Sequence, residues 1–342
     1  MSTLSLHLSI VPHILSLNAR SPSLFVSSSP IRHSKFSLSS QLRGAPIRRF
    51  GTRVFAVVSG GQASEKDEKK EKKNNGNSII SLTYLEGNSW LWGVEGLNIL
   101  VDPILVGNLD FGIPWLYDGA KKFLKNFQLR NLPQLDCLLI TQSLDDHCHV
   151  KTLRPLSELL PDLPVLSTPN AETILNSLFR NVTYLEPGQS TELKSRKGSK
   201  VTVLASAGPV LGPPWQRPEN GYFIISEKHL TLYYEPHCVY DQSFLQNEHA
   251  DIIVTPVIKQ LLPALTLVSG QEDAVELAKL LQARFIVPMK NGDLDSKGLL
   301  SRIIFAEGTM ESFKIMQRRW LSSAPNLEIS VFLDRGRGAC NI

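Results

Sequence analysis

The chain has 342 residues, with 36 Lys and Arg against 32 Asp and Glu, for a net charge of +4. The excess is N-terminal: residues 1–56 hold seven basic residues and no acid, leaving 29 basic against 32 acidic residues elsewhere, a net of −3. The basic balance therefore gives no footprint for nucleic acid. No apolar run approaches the ~18 residues of a membrane span. Cys137, Cys148, Cys238 and Cys340 form no C-x-x-C pair, which excludes a zinc ribbon and a disulfide scaffold.

Residues 1–60 contain 14 serines, several basic residues and no acid before the charged stretch that follows. Ser-rich, Arg-bearing, acid-poor segments are typical of transit peptides. With Val54-Phe55-Ala56 as a processing pattern, residues 1–56 are expected to be a chloroplast transit peptide. Residues 57–77 are expected to be a linker. From residue 61 it is a charged run (GQASEKDEKKEKKNNGN) with too little apolar surface to offset its ordering entropy. A single domain is expected over residues 78–342, starting near Ser78.

Residues 79–94 have strand character, interrupted by a turn at Glu86-Gly87-Asn88. Residues 98–102 (NILVD) form a short apolar run closed by Pro103. Residues 135–141 (LDCLLIT) read as a buried strand, and residues 164–167 as extended. Thr168 with Pro169 marks a helix start, predicted to run to about Phe179. Residues 201–205, 221–226 and 230–234 are expected to be antiparallel strands, and 251–257 another buried strand. Ser269 and Glu272 make a capping-box pattern opening a helix through Leu281. Its apolar residues Ala274, Val275, Leu277, Ala278 and Leu281 share one face. A strand at 284–289, a helix at 310–321 and a strand at 327–333 complete the prediction. Sheets with helices outside follow from this mixture, without a choice among such folds.

The order of short motifs narrows the choice. Leu82-Thr83-Tyr84-Leu85-Glu86-Gly87-Asn88-Ser89-Trp90, then Leu100-Val101-Asp102-Pro103, then Leu139-Ile140-Thr141 and Val287-Pro288-Met289 together resemble the metallo-β-lactamase fold superfamily. The nearest branch by resemblance is that of the ascorbate-phosphate lactonase-like hydrolases, related to N-acyl phosphatidylethanolamine phospholipase D. The resemblance implies an α/β fold, an αββα sandwich of two mixed sheets with helices outside and the active site at one edge. It also implies metal-dependent hydrolysis of an ester, lactone or phosphate substrate.

The metal ligands that the family signature implies are largely replaced. Two metals need His and carboxylate ligands from several loops. Where the family carries H-x-H-x-D-H, this chain reads Gln142-Ser143-Leu144-Asp145-Asp146-His147. Leu144 cannot ligate, and neutral Gln142 is a poor zinc ligand. The third motif falls on Ala207-Gly208-Pro209, without a ligand. The slot of the bridging Asp holds His237, within Glu235-Pro236-His237, and Lys290 stands in the place of the last His. The first metal site loses every family ligand, and the second keeps Asp146 and His147 and gains His237.

Two readings of the site follow. In one, Asp146, His147 and His237 bind one divalent metal (zinc, iron or manganese) as a two-His, one-carboxylate set, with His149, Glu235, Cys148 and Cys238 near in sequence. In the other, no metal binds, and the Lys290 ammonium replaces the missing charge by pairing with Asp146. The second is the expectation, because a divalent ion beside a lysine cation in low dielectric is strongly repelled. Asp146, His147, His237 and Lys290 are the candidate catalytic residues either way. The alternative to an enzyme is a non-catalytic ligand-binding or assembly module of the stroma or thylakoid surface.

Two loops complete the reading. Residues 208–221 hold four prolines, with Trp215 and Arg217 as either a pocket wall or a stiff surface. Residues 106–130 interleave Phe111, Trp115, Leu116, Tyr117, Phe123 and Phe127 with Lys121, Lys122, Lys125 and Arg130. Such a segment either packs on the domain or touches an anionic thylakoid surface. A small-molecule substrate or ligand is the expected partner.

Overall fold

The computed structural model describes residues 52–57, 79–195, 198–211, 215–263 and 265–323. The predicted strand at 327–333 and most of the N-terminal segment and linker lie outside them. Apolar runs broken by turn residues form two large sheets, beside two small ones of three and two strands. The first holds, in both chain and spatial order, β1 (Thr52–Val57), β2 (Ile79–Tyr84), β3 (Trp90–Val94), β4 (Leu97–Val101), β5 (Cys137–Ile140), β6 (Val165–Ser167) and β7 (Val182–Tyr184). The second holds β8 (Ser190–Lys194), β9 (Lys200–Ala207), β10 (Asn220–Ser226), β11 (Thr231–Tyr234), β12 (Ile252–Pro256) and β13 (Phe285–Met289). In each sheet the earlier strands pair antiparallel and the last ones parallel. Hairpins need only short turns, whereas the parallel pairs need helical crossovers.

The main core lies between the sheets. Trp92 of β3 meets Tyr234 of β11 edge-on at 5.3 Å between ring centroids, both fully buried. A second apolar layer sets helix Glu272–Leu280 and Phe313 of helix Met310–Ser323 against β10, β11, β12 and β13. A third sets helix Val150–Leu159 and the turn around Leu175 and Phe179 against β4, β5 and β6. This is the expected sandwich, with helices on the outer face of each sheet.

Local structure departs from expectation at three helices. The segment after Thr168 is a single 3-10 turn, Pro169–Ala171, and one α turn, Glu172–Leu175, not a helix to Phe179. Thr168 makes no side-chain cap, and its buried hydroxyl has no partner. The chain has only a few residues in which to return to β7. The capping box at Ser269 does not form either: the helix starts at Glu272 behind Gln271, whose φ is 50° and whose side-chain amide donates to the Val257 carbonyl. The expected apolar face is buried as read. Helix Val150–Leu159, with Pro155 inside it, is absent from the prediction, although Leu153 and Leu156 bury at helical spacing.

Strand β1 pairs antiparallel with β2, with Val57 opposite Ile79 and Thr52 opposite Tyr84. It lies almost wholly within the segment that the sequence assigns to targeting.

Candidate metal centre

The parallel strands of both sheets end on one edge of the sandwich, so residues just beyond them meet there. Asp102 follows β4, Thr141 and Gln142 follow β5, Glu235 to His237 follow β11, and Lys290 follows β13. The β2–β3 turn brings Asn88 to the same edge.

His147 is the hub. Its Nδ1 lies 2.9 Å from Asp102 Oδ2, and its Nε2 lies 3.2 Å from Asp146 Oδ2. Asp102 also accepts the Thr141 N–H at 2.8 Å and the Thr141 hydroxyl at 2.5 Å. This buried carboxylate is thereby satisfied while it holds the imidazole. His237 stands on the far side, with its ring centroid 5.2 Å from that of His147. Asp146, His147 and His237 each offer a ligand atom, and these atoms lie within 4.8 Å of one another. Among the described residues this is the one such group of three or more.

Burial by itself would lower the pKa of His147, but the carboxylates of Asp146 and Asp102 outweigh it and lift the imidazole to about 10. Burial would raise Asp146, and the charge of His147 reverses this, so Asp146 ends below its ordinary value. His237 is pushed down to about 3 by burial and then by the charge on His147. Glu235 is pushed up to about 8 by burial. Its Oε2 accepts the His237 and Val239 N–H groups at 3.0 and 2.6 Å, while Oε1 has no partner and lies 4.0 Å from His237 Nδ1.

The donor set fits a single divalent metal. One carboxylate and two imidazoles suit zinc, iron or manganese. Asp146 Oδ1 is buried without a hydrogen-bond partner, which is costly for a carboxylate unless a cation occupies its lone pairs. Asn88 borders the group. Its Oδ1 accepts the Gly292 N–H at 2.8 Å, which fixes Nδ2 as the donor toward the Asp146 carbonyl at 3.1 Å. That same Nδ2 is 3.1 Å from His147 Nε2.

The expected Asp146–Lys290 pair does not form. Lys290 pairs with Asp293 at 3.8 Å, and its side chain is 40 % exposed. Lys290 follows β13 directly, and the chain there turns toward Asn291 and Asp293, carrying the ammonium outward. The electrostatic argument against a metal loses its premise. Of the neighbours in sequence, His149 points its Nδ1 at the Thr152 hydroxyl, 2.9 Å away, within its own helix start. Cys148 and Cys238 are buried, with thiols pushed well up, first by burial, to about 12 in Cys148. None of these three belongs to the ligand group.

Three contributors escape the sequence reading. Asp102 reads as a strand end without chemistry, Asn88 as a turn residue, and Gln142 as a lost ligand. Gln142 Nε2 lies 2.7 Å from His237 Nδ1, so the side chain in the place of a family histidine touches a candidate ligand from behind. An Asp closing an apolar strand is the available signal for the first, since a buried carboxylate needs partners. In the proline-rich loop Trp215 is 83 % exposed, and Arg217 pairs with Glu186 at 3.3 Å. The aromatic-basic segment divides. Tyr117 and Lys121 are buried, while Trp115 and Phe123 are exposed.

Residues 81–290 match the family described as the beta-lactamase superfamily domain. No curated protein matches the chain in sequence. Among solved structures it is similar to CmlA, a diiron beta-hydroxylase from Streptomyces venezuelae, at 16 % identity over 74 % of this chain and 52 % of that one, TM-score 0.50. It is also similar to Igni18, a metallo hydrolase from the archaeon Ignicoccus hospitalis, at 16 % identity over 74 % and 94 %, TM-score 0.48. An isothiocyanate hydrolase from Delia radicum gut bacteria matches at 15 % identity over 72 % and 95 %, TM-score 0.48. At these identities the likeness is one of fold.

Proposed function

The chain belongs to the beta-lactamase superfamily, and from that premise we propose that it is a hydrolase working with one divalent metal held by Asp146, His147 and His237. The observation that carries this reading is the convergence of partly buried Asp146 with buried His147 and His237, beside an Asp146 Oδ1 that has no hydrogen-bond partner. When bound, the metal supplies Lewis acidity toward an ester, lactone or phosphate oxygen. The chain's own residues do the rest. Asp102 receives the Nδ1 hydrogen of His147 and orients the ring, as a carboxylate behind a ligating histidine does. Asn88 holds the Asp146 backbone through its Nδ2. Lys290 offers an exposed cation on the same edge for the anionic part of a substrate.

Kinship with the ascorbate-phosphate lactonase-like branch rests on the 82–90 and 100–103 motifs. A plastid location rests on the acid-free N-terminus. Contact with a thylakoid surface rests on the exposed Trp115 and Phe123.

One observation favours a second reading, a metal-free binding module. With a proton in place of the metal, His147 is an imidazolium between two carboxylates, which pairs the buried charges. Metal analysis of protein purified without an affinity tag separates the two. One equivalent of zinc, iron or manganese per chain supports the one-metal enzyme. Metal-free protein that takes up none on reconstitution rejects it in favour of the module.

A further inference from the structure

The loops beyond the parallel strands carry most of the apolar surface. Among the described residues, every exposed large apolar side chain except Leu159, Leu160 and Ile315 lies on loops at the edge that holds Asp146, His147 and His237. Two of these loops meet. The Leu299 N–H donates to the Trp115 carbonyl at 3.3 Å and the Leu300 N–H to the Leu116 carbonyl at 2.8 Å, and strand Asp118–Ala120 pairs antiparallel with strand Asp295–Lys297. The two segments expose Ile113, Trp115, Leu299, Ile303 and Phe305, by 37 % to 71 %. We propose that residues 111–117 and 298–306 form a lipid-docking surface that seats the metal edge on an anionic bilayer, so that the substrate is an amphiphilic ester held in the lipid. The substrate class rests on the one-metal hydrolase reading; the surface stands without it.

Single exposed apolar side chains are ordinary on a protein surface, whereas a group of them marks an interaction site. Charge favours lipid as the occupant. Residues 111–117 (FGIPWLY) contain no charged residue, and residues 298–306 (GLLSRIIFA) contain one, the exposed cation Arg302, with exposed Lys297 just before them. Acids stand outside both runs: Asp110 pairs with Lys151 at 2.5 Å, Asp118 accepts the Asn108 side-chain amide at 2.7 Å, and Asp295 and Glu307 flank the second run. Phe123, 82 % exposed, stands between Lys122 and exposed Lys125. An apolar surface with aromatic rings and a cationic fringe suits the headgroup boundary, where the rings bury and the cations stay at the phosphates. Position adds a second reason. A protein seated on this edge would close off the metal centre, whereas a bilayer brings hydrolysable groups to it. Hydrolysis of such an ester puts the water hydroxyl on the acyl carbon and its proton on the leaving oxygen.

The full-length chain is sedimented with vesicles of phosphatidylcholine plus phosphatidylglycerol, as wild type and as Trp115→Ser combined with Ile303→Ser, two exposed positions outside the core. Hydrogen exchange read by mass spectrometry locates the contact, because the basic residues 1–56 offer anionic lipid a second site. Wild type should bind, let go in high salt, and exchange more slowly at 111–117 and 298–306. The double variant should bind several-fold more weakly. Equal binding by both proteins, or protection confined to residues 1–56, overturns the surface. A wild type that ignores the vesicles but dimerises in the ultracentrifuge, with the variant monomeric, overturns it in favour of a second copy. For the substrate class, zinc-loaded protein receives p-nitrophenyl palmitate in the same vesicles and p-nitrophenyl acetate in solution. The double variant should lose turnover several-fold on the vesicle-held ester alone. Equal loss on both esters, hydrolysis of the soluble ester only, or hydrolysis of neither by zinc-loaded protein overturns the amphiphilic substrate. A chain that binds vesicles but takes up no zinc overturns the hydrolase reading and leaves the surface standing.

Discussion

At the residue scale the centre is a chain of buried polar groups, each of which fixes the next. Thr141 fixes Asp102, Asp102 fixes His147, and Asn88 fixes the Asp146 backbone. Replacing Asp102 with Asn should lower zinc affinity about 10–100-fold, because an amide nitrogen toward Nδ1 favours the wrong His147 tautomer; competition titration reads it. Asp146 and His147 are legible in the sequence because they keep the family spacing. Asn88, Asp102 and Gln142 are not, because their value lies in which atom they turn to a neighbour 45 to 95 positions away, which spacing does not encode. Lys121 shows the same limit. It reads as one of four surface cations, yet it is buried, with Nζ donating to the Leu85 carbonyl at 2.6 Å. Burial pulls its pKa down to about 8, against the raising effect of Glu86. Since the folded pKa lies below the unfolded one, the charged form costs stability below pH 8, and that cost is relieved between pH 8 and about 10.5. Wild type should therefore gain stability relative to Lys121→Met across that window, as urea unfolding at pH 7.5 and 9.5 would show; parallel pH profiles would contradict it.

At the element scale, β10 passes closely behind the centre. Gly221, on β10, lies where an added Cβ would come within 2.7 Å of Ser206 Oγ, 2.9 Å of Tyr233 OH and 3.2 Å of Glu235 Cγ. These groups are themselves buried, so they have little room to yield. Gly221→Ala should cost about 1–3 kcal/mol by overpacking, read from urea unfolding, and a cost below ~0.5 kcal/mol would mean the β9–β10 pair can spread. Strands were the more legible elements: long apolar runs ending in Asp, Thr or Pro place β4, β5, β12 and β13 within a residue or two. Helix starts were less so. Ser269 has the capping-box spacing, but its backbone N–H is taken by the His237 carbonyl at 2.9 Å, and tertiary contact overrides the local pattern.

At the scale of the whole molecule, the sandwich brings Asp146, His147 and His237 together at one edge. The opposite end of the chain raises a separate question. Strand β1 completes the edge of the first sheet, yet import processing near residue 57 would remove it and leave the edge of β2 unpaired. Exposed strand edges invite pairing with other chains. Import into isolated chloroplasts should yield a product beginning near residue 57. That product should self-associate more than a version retaining residues 49–57, by analytical ultracentrifugation. A product that begins upstream of Thr52 would instead keep β1 in the mature protein.

The central claim is that Asp146, His147 and His237 hold a metal that the fold uses. It is tested most directly by the melting temperature of the full-length protein with and without a strong chelator, in wild type and Asp146→Asn. The account predicts that chelation lowers the wild-type melting temperature by several degrees, since a ligand bound only by the native state stabilises it, and that Asp146→Asn melts low and responds little. A wild type indifferent to chelator, with Asp146→Asn melting at the same temperature, would contradict it.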